Sequence, residues 1–152
     1  MRKAKRKFAA VFLAAIIAFT AVGINPAVVR AEDDSPFFRA VINGEEFTFS
    51  GPPPALAPMG TLLPVREIFE HLGFSIRWDP DTAVATLTKG PTVIEIAEGS
   101  QQFTVYGIPR RHENQPAVNI GGFLMVPMVE VIESIGGRVW RNREGVVHII
   151  VL

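Results

Sequence analysis

Apolar residues recur at helical spacing in two short segments of the chain, from Pro64 to Gly73 and from Pro127 to Gly136. Each segment is opened by a proline and closed by a glycine, residues that commonly start and stop a helix. Between them, apolar side chains follow the i, i+3, i+4, i+7 order of one buried helical face. The pattern therefore predicts two short amphipathic helices. Their buried positions are Val65, Ile68, Phe69 and Leu72 in the first helix and Met128, Val131, Ile132 and Ile135 in the second.

Outside these helices the apolar pattern alternates with a period of two, which is typical of strands. Asn43 and Gly44 separate two alternating runs and predict a hairpin with a type I′ turn. Further hairpins are predicted around residues 79–82, around Gly107 and around residues 141–145. The stretches SGPPPALAPMG and NQPAVNIGGFLMV are interpreted as irregular crossings before each helix. The last strand, VVHIIVL, is expected to leave an open edge that a second chain could pair with.

The same order of predicted elements occurs twice along the chain. Gly73 matches Gly136 at an offset of 63 residues, and Trp78 matches Trp140 at 62, a difference that we interpret as a one-residue deletion. We therefore predict two units, at about residues 40–90 and 91–152, each built as hairpin, crossing, helix and hairpin. One unit has too few strands to cover its apolar faces, so the two are expected to share a core. The predicted fold class is α+β, with predominantly antiparallel sheets and one short helix per unit.

The two tryptophans have two interpretations. Exposed, Trp78 and Trp140 would form platforms for stacking on sugar rings or peptide side chains. Buried, they would be large core residues that pin each helix to its sheet. Their matched placement in both units favours the core. The predicted structural anchors of the repeat are thus Pro64, Gly73, Trp78, Pro127, Gly136 and Trp140.

The N-terminal segment has the features of a secretory signal peptide. The run MRKAKRK carries five positive charges, residues 8–22 form an apolar run, and Val29 and Ala31 are placed for signal peptidase. These features predict cleavage after Ala31, so residues 1–31 would be removed. The alternative is an uncleaved membrane anchor, although the apolar run falls short of the ~20 residues that span a bilayer comfortably.

Removing residues 1–31 changes the charge of the chain. That segment holds six of the 15 Lys and Arg and none of the 15 Asp and Glu, so residues 32–152 carry nine basic and 15 acidic side chains and a net charge of −6. A negative surface disfavours general binding to nucleic acid or anionic membranes. We expect a flexible leader at residues 32–39, one domain at residues 40–152, and no stable membrane anchor after cleavage. Because there is no cysteine, disulfides and a lipoprotein anchor are excluded.

Four stretches resemble the copper amine oxidase N-terminal domain-like family, also called stalk domains. They are INGEEFTF, GTLLPVREIFEHLGFSIRWDPDTAVATLT, VYGIP and GGFLMVPMVEVIESIGGRVWRNREGVVHI, which together cover about Val41 to Ile149. The specific elements are the Pro-x-Arg at Pro64 to Arg66, the helix end at Glu70 to Gly73 and the Trp78-Asp79 pair. The second copy departs from them, since Val129 replaces the arginine and Arg141 follows Trp140 in place of aspartate.

The resemblance implies tandem copies behind a signal peptide, as in exported proteins of Gram-positive bacteria. It also implies a non-catalytic domain, because in copper amine oxidases the copper and the tyrosine-derived quinone belong to a separate catalytic domain. The residues agree with this implication. The single tyrosine, Tyr106, lies in TVYGIP with no Asn before it and so lacks the setting for quinone formation. No cofactor is expected.

The histidines do not form a metal-binding pattern. His71, His112 and His148 include no His-x-His pair, whereas copper requires a cluster of imidazoles. We expect these three residues to be surface or rim histidines and predict no metal site.

Two carboxylate pairs are the remaining catalytic candidates. Glu67 and Glu70 recur as Glu130 and Glu133, three residues apart on one side of each predicted helix. Such a pair could form a cation site or act as acid and base. The alternative is a solvated helix flank, with Glu70 one turn beyond Arg66 for an ion pair. Because no third ligand or base accompanies either pair, the solvated flank is favoured and no catalytic residue is predicted.

Two arginine-rich turns are the candidate binding surface. On a chain of net charge −6 they are local basic patches that could contact an anionic wall polymer or an acidic partner, although ordinary solvated turns are the simpler interpretation. The residues concerned are Arg110, Arg111, His112, Arg138, Arg141 and Arg143.

Together these features predict a secreted, non-catalytic, stalk-type binding or structural domain at the bacterial cell envelope, extracellular or associated with the wall. Its partner would be a cell-wall polymer or an extracellular protein. The alternative is an extracellular enzyme, or an inhibitor of a hydrolase, that uses the helix face bearing Glu67 and Glu70.

Overall fold

The computed structural model describes residues 39–57 and 60–152, which form 13 strands and two short helices. All strand pairs are antiparallel except one, so the predicted α+β class with mainly antiparallel sheets is confirmed. The predicted signal peptide and most of the predicted leader lie outside the described residues.

The helices are α1 Val65–His71 and α2 Met128–Ser134. The strands are β1 Arg39–Ile42, β2 Glu45–Thr48, β3 Ala55–Ala57, β4 Gly60–Pro64, β5 Ser75–Asp79, β6 Val84–Lys89, β7 Thr92–Ala97, β8 Gln102–Val105, β9 Ile108–Arg111, β10 Val118–Ile120, β11 Phe123–Pro127, β12 Arg138–Arg141 and β13 Val147–Ile150.

The strands form three sheets, and each contains strands from both halves of the chain. The β1–β13 sheet has the order β12-β13-β1-β2, the β4–β11 sheet has the order β10-β11-β4-β3, and the five-stranded sheet has the order β5-β6-β7-β8-β9. The first and last strands pair in parallel, with Ala40 opposite Val147 and Ile42 opposite Ile149. The two halves are therefore interleaved along the sheets.

The element bounds of the two halves correspond closely. Adding 63 to the bounds of β1, β2, β3, β4 and α1 gives the bounds of β8, β9, β10, β11 and α2. The two corresponding strands β4 and β11 also pair with each other, and Leu63 lies opposite Val126, its own counterpart. That pairing is self-complementary, as in the interface of a two-fold dimer.

Both helices begin and end in the same way. Each follows a strand that ends in proline, with Pro64 and Pro127 in extended backbone at the N-cap. At the end of α1, Gly73 adopts a φ of 83° and its amide donates to the Glu70 carbonyl, while the Phe74 amide donates to the Phe69 carbonyl. These two bonds form a Schellman motif, which requires a residue with positive φ at the glycine position. Because seven residues are too few for a stable isolated helix, the helices depend on packing.

The predicted helical faces lie in the core. Val65, Ile68 and Phe69 of α1 are buried, as are the matching positions of α2, while Ile135 is half-buried. The core continues through the inward positions of the sheets, where Ile42, Leu87, Ile94, Ile96 and Ile149 are all fully buried. One shared core was predicted, and within the described residues the buried cluster draws on both halves.

One prediction about local structure is confirmed and two need correction. Asn43 and Gly44, with φ of 51° and 89°, form the predicted hairpin turn. The two stretches interpreted as crossings are instead parts of hairpins: the first contains β3 and ends at the first residue of β4, and the second contains β10 and most of β11. The last strand does not leave an open edge, because β13 pairs with β12 on one side and β1 on the other. Neither helix of the described chain is long and apolar enough to cross a membrane.

We expect residues 32–152 to unfold in one cooperative step, because each half completes its sheets with strands of the other. Trp78 and Trp140 report on different halves, so Trp78→Phe and Trp140→Phe variants each leave one fluorescent probe. Thermal unfolding of both variants should give one midpoint that agrees with the far-UV signal. Two separated midpoints would show that the halves unfold independently.

Candidate functional site

A groove of about 240 Å³ lies where the start of α1, the β5–β6 hairpin and the β10–β11 hairpin meet. Trp78 and Phe123 line it and remain 36% and 37% exposed. Val65 and Ile76 contribute apolar surface, and Arg66 is the one charged side chain among the described residues that line it. The groove thus combines exposed aromatic surface with a single cation.

Trp78 is not the buried anchor that the sequence favoured. It shares the inward face of the five-stranded sheet with Ile76, opposite Ala85, but it lies near the end of β5 beyond the packed helix. Its position on the inward face directs it toward the core side, and its position at the strand end leaves it partly uncovered. The prediction that Trp78 is a buried core residue is therefore wrong.

Trp140 is also exposed, at 43%, but it belongs to a different surface. Val139 pairs with the buried Ile149, and the alternation of the strand places Trp140 on the opposite face, where it stacks on His148 at 4.9 Å. The prediction that both tryptophans are buried core residues was therefore wrong. Trp140 is adjacent to the inward-facing Val139, and adjacent strand positions face opposite sides of a sheet.

The strand pairing also changes which residues correspond. Ile76 pairs with Leu87, and Val139 pairs with Ile149 at the equivalent inward position of the second half. Counting along the strand from these positions, Trp78 corresponds to Arg141. The residue that the second half lacks therefore lies in the turn after Arg141. The turn itself supports this register. The Asp81 amide donates to Asp79 Oδ1, and the Glu144 amide donates in the same way to Asn142 Oδ1. The Asp81 amide and the Thr82 side chain lower the pKa of Asp79.

Phe123 and Asn119 reach the groove from a hairpin that sequence reasoning missed. Gly121 and Gly122 form its turn, with φ of 61° and 89°, and the Gly122 amide donates to Asn119 Oδ1 at 2.9 Å. The Asn119 amide nitrogen also donates to Glu98. A Gly-Gly pair between two apolar runs is a recognised hairpin signal, so the sequence did contain the information.

Glu70 behaves as predicted, whereas Glu67 does not. Arg66 and Glu70 form the expected ion pair at 3.1 Å, and both side chains are more than half exposed. Glu67 is not a solvated flank, because its carboxylate accepts hydrogen bonds from the Ser50 amide at 2.6 Å, the Gly51 amide at 2.8 Å and the Ser50 hydroxyl at 3.0 Å. Its oxygens are thus occupied by the preceding loop.

The contacts of Glu67 also position one wall of the groove. A Cβ atom at Gly51 would come within 2.9 Å of the Phe123 ring, so this loop lies directly against Phe123. Glu67 holds the Ser50-Gly51 backbone through two amides, and that backbone supports the ring. Glu67 is therefore a positioning residue for the groove, and both of its carboxylate oxygens accept hydrogen bonds from this loop.

The equivalent carboxylate in the second half has a different neighbour. Glu130 Oε1 accepts a hydrogen bond from the Glu113 amide, at the same sequence separation as Glu67 from Ser50, but its Oε2 is buried without a partner. The adjacent His112 is completely buried and corresponds to Phe49 in the first half. His112 stacks on Phe103 at 4.6 Å, and neither ring nitrogen makes a hydrogen bond.

Burial lowers the pKa of His112 below its ordinary value of 6.5. The Glu130 carboxylate and, less strongly, the Pro127 carbonyl offset part of this effect, although neither ring nitrogen meets Pro127 with hydrogen-bond geometry. His112 was predicted to be a surface or rim residue and part of a basic patch. That prediction was wrong, because the imidazole is completely buried and stacked on the core residue Phe103, at the position where the first half has the half-buried Phe49.

The remaining residues of the candidate basic surface are exposed but lie on two different sheets. Arg110 and Arg111 are on β9, an edge strand of the five-stranded sheet, at the end away from its Tyr106-Gly107 turn. Arg111 donates to Gln101 at 2.6 Å. The other three lie on or just after β12, an edge strand of the β1–β13 sheet; they are Arg138, Arg141 and Arg143.

No group of three or more metal-ligating side chains occurs within residues 39–57 and 60–152. The histidines are separated in the fold, since His71 packs edge-on to Phe47, His112 is in the core and His148 stacks on Trp140. The described residues therefore present a groove and surface patches, without a metal centre among them.

The chain belongs to the copper amine oxidase N-terminal domain family, whose model matches residues 41–150. The family resemblance seen in the sequence is thereby confirmed, and in that family the N-terminal domain is a non-catalytic, stalk-like part. No curated protein matches the chain in a sequence comparison.

Replacing Glu67 should cost more stability than replacing Glu70. In Glu67→Ala, two backbone amides and one hydroxyl lose an ionised acceptor, and we expect the free energy of unfolding to fall by about 1–3 kcal/mol. Glu70→Ala is the matched control on the same helix and should cost about 0.5 kcal/mol or less, because it removes one exposed pair. Urea unfolding at pH 7 measures both. Equal losses would contradict the positioning role of Glu67.

Stability should fall as the pH is lowered below about 6.5, because the unfolded chain binds a proton at His112 more readily than the folded chain does. The contribution is fully present above the unfolded pKa and is lost as the pH falls toward the lower folded pKa. One proton changes the free energy of unfolding by at most about 1.4 kcal/mol per pH unit. His112→Phe reproduces the Phe49 side chain of the first half and should reduce this slope in urea unfolding between pH 5.5 and 7.5.

The control is a direct measurement of the pKa of His112 in the folded protein by NMR of its ring. A folded-state pKa at or above 6.5, or an unchanged slope in His112→Phe, would contradict this account.

Proposed function

We propose that this chain is a secreted, non-catalytic binding domain that acts at the cell envelope of a Gram-positive bacterium and is built from two tandem copies behind a signal peptide. The observation that carries the proposal is the groove, in which Trp78 and Phe123 present exposed aromatic surface in a concave site. Concave, mostly apolar sites with a few polar groups are the usual form of ligand sites in proteins. The proposed partner is a cell-wall polymer.

The alternative function, an extracellular enzyme or hydrolase inhibitor acting through Glu67 and Glu70, has weaker support. Glu67 is engaged by three hydrogen bonds to Ser50 and Gly51, and Glu70 is paired with Arg66. A general acid or base must reach a proton of the substrate, and the Glu67 oxygens already accept hydrogen bonds from the loop. An extracellular protein partner remains the second candidate for the groove.

The test is co-sedimentation of residues 32–152 with isolated Gram-positive cell walls, with and without their anionic polymers, across a salt series. We expect the domain to bind walls that retain the polymers and to release as salt is raised, because the polymers are charged. Trp78→Ala should weaken binding about tenfold, which corresponds to about 1.4 kcal/mol.

Trp140→Ala is the matched control, since it removes a tryptophan of similar exposure from a different surface. An Arg138→Gln, Arg143→Gln variant tests the arginine-rich turn in the same assay. If the unaltered domain binds neither kind of wall, the proposal fails and a protein partner becomes the better hypothesis. If Trp78→Ala binds walls normally while the arginine variant does not, the groove is not the wall-binding site.

A further inference from the structure

We propose that the groove beside α1 binds one ring of an acidic polysaccharide, with the ring against Trp78 and Phe123 and its carboxylate on Arg66. This inference rests on the proposed function, because it names the ligand class of the same groove. Its occupant is a carboxylated sugar unit of the uronic acid type.

The size and surface of the groove favour a single ring. Its volume of about 240 Å³ is below the roughly 300–1,000 Å³ of sites that enclose a drug-sized ligand. Trp78 and Phe123 offer flat apolar surface, and Asn119 is the polar side chain beside them. A sugar ring has both an apolar face that can lie on an indole and a polar rim.

The charge in the groove favours a carboxylate. Arg66 is the one charged side chain among the described residues that line it, and its present partner is the exposed Glu70. An exposed pair of this kind contributes little stability, so a ligand carboxylate can replace Glu70 at low cost. A guanidinium binds a carboxylate through two parallel hydrogen bonds, which would also orient the ring.

The second half of the chain lacks the combination of a tryptophan and an arginine at the corresponding positions. In the register set by the strand pairs, Arg141 stands at the position of Trp78, and at the 63-residue offset Val129 stands at that of Arg66. Both halves nevertheless form the same strand–helix–strand arrangement. The fold therefore does not require a tryptophan and an arginine at these positions, which favours a role in binding.

The net charge of −6 for residues 32–152 opposes a polyanion over long distances. At 0.15 M ionic strength the Debye length is about 8 Å, so charges outside the groove are largely screened while the contact with Arg66 is retained. The test is therefore made at that salt concentration.

The experiment is isothermal titration of residues 32–152 with four soluble probes. Oligogalacturonate supplies rings with carboxylates, its methyl ester supplies rings without charge, poly-L-glutamate supplies carboxylates without sugar rings, and polyglycerol phosphate supplies a phosphate polyanion. We expect binding to oligogalacturonate, with Kd about tenfold weaker or more for the methyl ester and for Arg66→Gln and Trp78→Ala. Poly-L-glutamate and polyglycerol phosphate should bind more weakly than oligogalacturonate.

The matched controls are Arg77→Gln and Trp140→Ala, which remove an exposed arginine and an exposed tryptophan from other faces and should leave Kd unchanged. Circular dichroism of each variant confirms folding. Equal binding of all polyanions, equal binding of the methyl ester, or an unchanged Kd in Trp78→Ala would each overturn the inference. The titration uses soluble probes and is separate from the wall co-sedimentation. If oligogalacturonate binding fails its test while the domain still binds cell walls, this inference is overturned and the proposed function is retained.

Discussion

The pairing of β4 with β11 is the contact on which the other features of the molecule depend. Leu63 lies opposite Val126, its counterpart in the other half, and both side chains are buried. Each strand runs through a proline directly into a helix, so this one pairing sets the positions of α1 and α2 relative to the shared sheet. The apolar faces of both helices can then be buried in one core, which seven-residue helices need in order to be stable.

The same pairing assembles the groove from distant parts of the chain. Arg66 follows the end of β4, and Phe123 begins β11, so their proximity results from the antiparallel register of these strands. Trp78 lies on β5, the strand that follows α1. The loop held by Glu67 then supports the Phe123 ring, so the groove is positioned by a helix that does not itself carry the aromatic surface.

Most local features of the fold were predictable, although the β3–β4 and β10–β11 hairpins were missed, whereas the faces and partners of distant strands were not predictable. Proline, glycine and the apolar spacing identify both helices, and Asn43-Gly44 identifies its turn, because these signals act within a few residues. The faces of Trp78 and Trp140 depend on strand pairing, and a shift of one residue reverses them. His112 was misjudged for a related reason, since its burial depends on stacking against Phe103 of the neighbouring strand, which the local sequence pattern does not show.

The parallel pairing of β1 with β13 has a consequence for the order of folding. Asn43 accepts a hydrogen bond from Val151, and these residues are 108 positions apart in the chain. The β1–β2 hairpin can form from neighbouring residues, whereas β13 follows it in the chain only after the other described strands and both helices. Contacts of such long sequence separation form slowly, because a large loop must close before they can contribute. Until β13 pairs with β1, the edge of β1 that it covers stays open, and open strand edges in partly folded chains favour aggregation.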